Sequence, residues 1–111
     1  MKNSESLKKN RDFQLVYRTR ISNANRLLIM YIRENQLEKN RIGISVSKKV
    51  GNSVVRHHLT RLIRESYRLN EQSFIIGFDI VVIAREKAKD SSYAEVESAL
   101  LHLAKIHKVI K

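Results

Sequence analysis

The chain contains no cysteine, and this absence excludes a disulfide framework, a cysteine-ligated zinc site and thiol catalysis. Proline is also absent and glycine occurs only at positions 43, 51 and 77, so long flexible linkers and low-complexity segments are excluded. No apolar run approaches the ~18 residues of a membrane span, and the polar start lacks the apolar segment of a signal peptide. We therefore expect a soluble, cytoplasmic protein without a membrane partner.

The positive charge of the chain is large and unevenly distributed. The 111 residues, enough for one domain, include 22 Lys and Arg against 11 Asp and Glu, a net charge of +11. Residues 1–70 carry 16 basic and 5 acidic side chains, whereas residues 71–111 carry six of each. A surplus confined to one part of a chain is typical of a surface that binds a polyanion.

Hydrophobic periodicity predicts a small α+β sandwich in which a sheet packs under helices. The predicted order is a helix over residues 10–20, two or three strands that include 27–32 and 41–47, a helix over 54–69, a strand over 78–84 and a helix after residue 92. Residues 34–40 form a polar connection of hairpin length, and strand 78–84 is apolar enough to be buried on both faces. Predicted helix caps are Asn10, Asn52 or Ser53, and a capping box of Ser92 and Glu95.

Strand 41–47 alternates strictly between apolar and small residues. Ile42, Ile44 and Val46 are predicted to face a core, and Gly43, Ser45 and Ser47 to form a flat, small, polar face. Within the basic part of the chain, the aromatic residues that precede the helix over 54–69 are Phe13, Tyr17 and Tyr31. They either pack in the core or form a platform on which unpaired bases stack, and for Phe13 both roles stay open. A single RNA strand suits such a platform better than a duplex, whose deep groove side chains cannot read.

The helix over 54–69 sorts into two opposed faces at about 100° per residue. The apolar face, with its centre predicted near Val55 and Leu62, consists of Val55, Leu59, Leu62, Ile63 and Ser66. The opposite face is a row about 16 Å long that holds His57, Arg61, Arg64 and Arg68, is flanked by Arg56 and Thr60 and is interrupted by Glu65.

This row is either a solvated charged surface or a binding site for a polyanion. Like charges one turn apart repel, so a row of arginines without interleaved carboxylates costs helix stability in isolation. Arginine also suits bidentate contacts with phosphate. Because Lys48 and Lys49 precede the positive end of the helix, we favour polyanion binding.

No catalytic site or metal site is predicted on the protein itself. The acidic residues are scattered, and His57 and His58, adjacent on a helix, point about 100° apart. His102 and His107 belong to the last helix and are interpreted as packing or surface residues.

Residues 44–56, ISVSKKVGNSVVR, followed by RLIRE at 61–65, resemble the signature of the bacterial ribonuclease P protein subunit. That signature is S-V-S-K-K-x-G-N-A-V, followed by R-N-R-x-K-R-x-x-R-E on a helix. Residues 10–17, 25–26 and 80–85 fit as well, so the resemblance covers nearly the whole chain. His57 replaces the usual Asn, His58 the usual Arg or Lys, and Thr60 the usual Lys, which removes two permanent charges.

The resemblance implies a fold similar to the second domain of ribosomal protein uS5, as a single domain over residues 1–111 with a left-handed βαβ crossover around the basic helix. It implies endonucleolytic removal of the 5′ leader from precursor tRNA by phosphodiester hydrolysis. The partners would be ribonuclease P RNA and precursor tRNA, with no protein partner required. The RNA subunit would be the catalyst and would bind most of the Mg²⁺ cofactor, while the protein alone would be non-catalytic.

The resemblance also assigns residues to two RNA contacts. The set expected to dock on the catalytic RNA is Lys48, Lys49, Asn52, Arg56, His57, Arg61, Arg64 and Arg68. The set expected to hold the leader, in a cleft between the basic helix and the sheet, is Phe13, Tyr17, Tyr31, Ser45, Ser47 and Thr60. The alternative is a ribosomal or RNA-chaperone module of the same fold without a processing role. Binding to a membrane surface is disfavoured because the apolar face of the basic helix lacks Trp and Phe.

Overall fold

The computed structural model describes residues 4–111 and contains three helices and five strands within that range. The helices are α1 (Asn10–Arg18), α2 (Ser53–Asn70) and α3 (Tyr93–Ile106), and the strands are β1 (Ser4–Ser6), β2 (Ser22–Ala24), β3 (Leu28–Glu34), β4 (Asn40–Ser45) and β5 (Phe78–Ala84). Two short 3₁₀ turns, Glu71–Ser73 and Glu86–Ala88, precede and follow β5. The predicted α+β class and the three helices are confirmed, and β1 and β2 are additions to the predicted strands. No helix within residues 4–111 is long and apolar enough to cross a membrane.

The five strands form one mixed sheet in the order β1-β4-β5-β3-β2. β4 pairs with β1 and β5 in parallel, whereas β3 pairs antiparallel with β5 and with β2. The polar connection over 34–40 is therefore not a hairpin, because β5 lies between the two strands that it joins. The parallel β4-α2-β5 crossover matches the expected βαβ unit. The left hand of this crossover and the likeness to ribosomal protein uS5 stay predictions.

Helices cover both faces of the sheet. On one face α2 and α3 pack with alternate strand residues into the main core, which includes Leu28, Met30, Ile80, Val82, Leu59, Ile63, Leu100 and Leu103. On the other face α1 places Val16 in a smaller cluster with Leu7 and Val81. β5 is buried on both faces, as predicted, because it is the central strand of the sheet.

The buried face of α2 is rotated from the predicted one. Its fully buried residues are Leu59, Ile63, Ser66 and Tyr67, whereas Val55 and Leu62 are only half-buried. Tyr67 causes the difference, because its ring packs edge-on against Phe74 at 4.8 Å between centroids. Its hydroxyl lies 2.6 Å from the Ser4 hydroxyl, which ties α2 to β1.

Two of the three predicted helix caps are present. The side-chain oxygen of Asn52 accepts from the Val55 amide at 3.0 Å and caps α2. Ser92 and Glu95 form the capping box of α3, each side chain accepting from the other residue's amide. The cap at Asn10 is wrong, because Asn10 is already helical and Lys9 precedes α1 without a side-chain cap.

A buried ion pair links β3, β4 and β5 at the end of the sheet where β4 begins. Arg41 donates to both carboxylate oxygens of Asp79, at 2.8 Å and 2.7 Å, and Asn35 donates to the same carboxylate at 2.9 Å. Burial alone would raise the pKa of Asp79, but these hydrogen bonds and the charges of Arg41 and Arg33 outweigh it, so the pKa is lowered. Asp79 is therefore ionised in the folded protein at neutral pH.

Candidate nucleic-acid interface

Three aromatic rings meet where α1 lies against the sheet. The ring of Tyr17 lies 6.3 Å from that of Phe13 and 5.1 Å from that of Tyr31, the latter edge-on. All three side chains are half-buried, so each packs against the protein and keeps a surface open to solvent. Burial and the neighbouring Tyr31 raise the pKa of Tyr17, although a hydrogen bond with Ser45 opposes them. The structure thus brings four of the six predicted leader-binding residues together.

One residue of the predicted flat, small, polar face is covered by other side chains. Gly43 is buried, because Phe13 and Leu7 lie on it. What remains open is a depression of about 290 Å³ lined by Lys8, Asn10, Phe13, Tyr17, Ile44 and Ser45. This depression, the aromatic cleft below, combines ring surfaces with a lysine and small polar groups, which suits a stacked base and its phosphate.

Ser47 lies beyond the end of β4, in a separate and larger cavity of about 610 Å³. Its lining residues are Arg26, Ile29, Ser47, Lys49, Val50, Ala84, Arg85, Glu86 and Lys87. Four cations and one carboxylate surround an apolar floor. We call it the basic cavity; its net positive charge favours an anionic ligand.

Three of the four cations of the basic cavity were not predicted as binding residues: Arg26, Arg85 and Lys87. They are far from the basic helix in sequence, and they meet Lys49 because β3 and β5 pair and because β4 and β5 end together. The only available signal was that residues 25–26 and 80–85 fit the family pattern.

The predicted row on α2 is exposed to solvent, and its arginines differ in their partners. His57, Arg61, Arg64 and Arg68 are all exposed, as are Lys48 and Lys49 in the preceding turn. Within residues 4–111, neither Arg61 nor Arg64 has a carboxylate oxygen within 4 Å. Arg68 is paired with Glu65 through its Nε and Nη2 donors. Within residues 4–111, Arg61 and Arg64 on the row therefore form no ion pair, whereas Arg68 forms one.

The residues that flank this row point partly into the protein. Arg56 is half-buried, and its Nε is a buried donor without a hydrogen-bond partner in the described part of the chain. Thr60 is also half-buried, and its hydroxyl donates to the Arg56 carbonyl one turn earlier at 2.8 Å. Thr60 thus bonds within its own helix and does not line the aromatic cleft. The oxygen of Asn52 is used by the helix cap, which leaves its amide nitrogen for a ligand.

A third cavity of about 270 Å³ separates the exposed side of α2 from the first turn of α3. It is lined by His58, Arg61, Leu62, Arg64, Glu65 and Tyr93. The Tyr93 hydroxyl donates to Glu97 at 2.9 Å, and burial together with that carboxylate raises the pKa of Tyr93 to about 12. Tyr93 is therefore a protonated hydrogen-bond donor across the physiological pH range.

The two histidines of the last helix are engaged in hydrogen bonds. His107 Nε2 lies 3.0 Å from the Met30 carbonyl, and burial lowers its pKa despite this bond. A neutral ring that donates from Nε2 satisfies that carbonyl. His102 Nδ1 accepts from the Asn25 amide at 3.1 Å. Within residues 4–111, no three His, Asp or Glu side chains are grouped as metal ligands.

Comparison with known proteins gives one consistent result. The sequence matches the family described as Ribonuclease P over residues 1–108. The ribonuclease P protein component of Lachnoclostridium phytofermentans is 58% identical over 107 residues, 96% of this chain and 92% of that protein. The ribonuclease P protein component of Alkaliphilus metalliredigens is 57% identical over 110 residues, 99% of each chain.

Solved structures agree with the sequence match. The structure of the RNase P protein of Staphylococcus aureus superimposes with a TM-score of 0.87 at 43% identity, covering 96% of this chain and 97% of that one. Coverage at these levels spans nearly the whole chain. The chain therefore belongs to the family of ribonuclease P protein components.

Proposed function

We propose that this protein binds ribonuclease P RNA and the single-stranded 5′ leader of precursor tRNA, and so promotes hydrolytic removal of the leader by the RNA subunit. The observation that carries the proposal is the pair of exposed arginines on α2, Arg61 and Arg64, neither of which forms an ion pair with a carboxylate within residues 4–111. Two unpaired guanidiniums three residues apart repel each other, and phosphate groups of an RNA would relieve that repulsion. Family membership supplies the RNA partner.

The leader is assigned to the two depressions on either side of the end of β4. Ser45 lines the aromatic cleft and Ser47 lines the basic cavity, so a strand that passes the end of β4 contacts both. Bases would stack on Phe13 or Tyr17, at roughly 1–3 kcal/mol per base, and phosphates would lie against the cations of the cavity. The contact requires unpaired nucleotides, because a duplex does not offer its base faces.

The basic row and the preceding turn are assigned to the catalytic RNA. Lys49 lines the basic cavity and also precedes the first turn of α2, so the leader site and the row are continuous through Lys48 and Lys49. This continuity supports the proposal that the substrate leader lies beside the RNA subunit. Neutralising phosphates at the junction would raise substrate affinity and orient the bond to be cleaved.

The chemistry of hydrolysis is assigned to the RNA and its Mg²⁺. In this proposal the RNA subunit binds most of the Mg²⁺, and no residue of the protein is given a metal-binding role. The protein contributes only charge and stacking surface in this proposal.

The test is reconstitution of the reaction. Purified protein is added to ribonuclease P RNA and precursor tRNA at low Mg²⁺, and release of the 5′ leader is followed on a gel. We expect strong stimulation by the wild-type protein and little by the variant that carries both Arg61→Ala and Arg64→Ala. The matched control is Lys105→Ala with Lys111→Ala, which removes the same charge from the end of α3 and the chain terminus. Absence of stimulation at every Mg²⁺ concentration, with RNA binding retained, would favour an RNA-binding module without a processing role.

A further inference from the structure

The turn between β2 and β3 is organised by one asparagine side chain. The Asn25 Oδ1 accepts from the amides of Leu27 and Leu28, at 3.2 Å and 2.9 Å, which closes the turn. Its Nδ2 donates to the carbonyl of Ala99 at 2.9 Å and to His102 Nδ1 at 3.1 Å, which fastens the turn to α3. All four hydrogen-bonding positions of this amide, two on the oxygen and two on the nitrogen, are thus committed to the fold.

The same turn holds Arg85 at two points. The backbone amide of Arg85 donates to the Leu27 carbonyl at 2.9 Å, and its Nη1 donates to the Asn25 carbonyl at 2.8 Å. Within residues 4–111 this is the only recorded hydrogen bond of the Arg85 guanidinium, and no carboxylate lies within 4 Å of it. The remaining donors of the group are therefore available beside the basic cavity that Arg85 lines.

An exposed arginine side chain that no hydrogen bond restrains samples many rotamers. Restricting it to one rotamer when a ligand binds costs up to about 2 kcal/mol of side-chain entropy. Fixing one Nη reduces that cost before the ligand arrives. The carbonyl that accepts this hydrogen bond belongs to Asn25. The position of Asn25 depends in turn on the hydrogen bonds of its side chain to α3. Arg26, the next residue in the turn, lines the same cavity and is positioned by the same bonds.

We infer that Asn25 is a positioning residue for RNA binding: through its carbonyl it orients Arg85, and through the turn it orients Arg26, toward a phosphate in the basic cavity. This inference rests on the proposed function, since it requires a phosphate-bearing strand in that cavity. It adds a residue that contacts no ligand but determines how tightly one is held.

The experiment measures binding of the full chain to a short fluorescein-labelled single-stranded RNA over a series of salt concentrations. Arg85→Gln should lower affinity about tenfold and reduce the salt slope by about 0.7, the loss of one phosphate contact on a single strand. Asn25→Ala should lower affinity about fivefold and reduce the slope similarly, and the double variant should bind no more weakly than Arg85→Gln alone. Asn25→Ser, which keeps an oxygen for the turn and loses the bond to Ala99, tests the same idea if the alanine variant is poorly folded.

Asn35→Ala is the matched structural control. Asn35 follows the opposite end of β3, and its side chain likewise closes a turn, accepting from the Leu37 amide at 2.8 Å. This variant should lose thermal stability while its RNA affinity and salt slope stay at the wild-type values. Wild-type affinity and slope in Asn25→Ala and Asn25→Ser, or losses that add in the double variant, would overturn the inference. Failure of the wild-type chain to bind the RNA would instead overturn the proposed function.

Discussion

The ring of Phe13 lies directly on Gly43: a Cβ atom at position 43 would stand 2.6 Å from Cζ of Phe13. That separation is shorter than any normal carbon contact, so the glycine is what allows α1 to approach β4 this closely. Leu7 would lie 3.2 Å from the same Cβ, which leaves little room for the ring to turn aside. The position of one wall of the aromatic cleft therefore depends on the absence of a side chain on the neighbouring strand.

Gly43→Ala should displace the Phe13 ring and weaken single-stranded RNA binding. Overpacking of this kind costs about 1–3 kcal/mol of unfolding free energy, which urea denaturation measures. In a Phe13→Ala background the added methyl group has space, so the cost of Gly43→Ala should fall and the two substitutions should be non-additive. An equal cost in both backgrounds would mean that the ring does not restrain this position.

Glu65→Gln should strengthen RNA binding. Glu65 accepts hydrogen bonds from Nε and Nη2 of Arg68, and its negative charge also interacts with Arg61 on the basic row. Removing the carboxylate's charge releases Arg68 for phosphate and steepens the salt dependence of binding. The comparison is with Glu38→Gln, the same charge change on an exposed residue between β3 and β4. A gain of the same size in both variants would show that net charge alone is responsible.

Much of the fold could be predicted because its signals are local. Asn52 before α2 and the Ser92–Glu95 box before α3 act within one turn of chain, and both caps are present. β1 and β2 were missed since each has three polar or small residues and carries no periodic pattern. The position of β5 between β3 and β4 depends on contacts between residues far apart in sequence. The seven-residue polar connection from β3 to β4 does not indicate that these two strands are separated in the sheet.

In the candidate site, too, the features set by local sequence could be predicted and those set by long-range pairing could not. The basic row was predicted, because four residues on one helix share a face whatever the helix packs against. The basic cavity was not, because Arg26 and Arg85 meet only through the pairing of β3 with β5. Likewise, Thr60 was assigned to the leader, but the buried face of α2 is rotated by Tyr67 and Thr60 bonds to its own helix.

Asp79→Asn should lower stability most at neutral pH. The pKa of Asp79 is lowered in the folded protein, so its ionised form stabilises the fold above the unfolded value and this stability is lost as pH falls through the folded pKa. At pH 7 we expect a loss of about 3 kcal/mol, because Arg41 loses its bidentate partner. The difference between wild type and variant should shrink steadily below about pH 4, as followed by urea unfolding at each pH. A difference that is constant with pH would mean that the Asp79 charge does not stabilise the fold.

Ser92→Ala should destabilise the protein without changing RNA binding. Ser92 accepts from the Glu95 amide at 3.2 Å and Glu95 accepts from the Ser92 amide at 2.9 Å, so the substitution leaves one amide of the first turn unpaired. Loss of such a cap costs about 1 kcal/mol, visible as a lower midpoint of thermal unfolding. The first turn of α3 lines the cavity that includes Tyr93. Weaker RNA binding by the variant under conditions where it is fully folded would show that the cap also positions this side of the cavity.

His58→Arg should raise affinity for the RNA subunit. His58 lines the cavity between α2 and α3 beside Arg61 and Arg64, at a position where the family pattern has Arg or Lys. A guanidinium is always charged and binds a phosphate through two parallel hydrogen bonds, which an imidazole cannot do. The salt slope should also steepen by roughly 0.7–0.9, one additional phosphate contact. Gln72→Arg adds a positive charge beyond the end of α2 and should change affinity little. Equal gains in the two variants would mean that net charge alone is responsible and that position 58 does not contact the RNA.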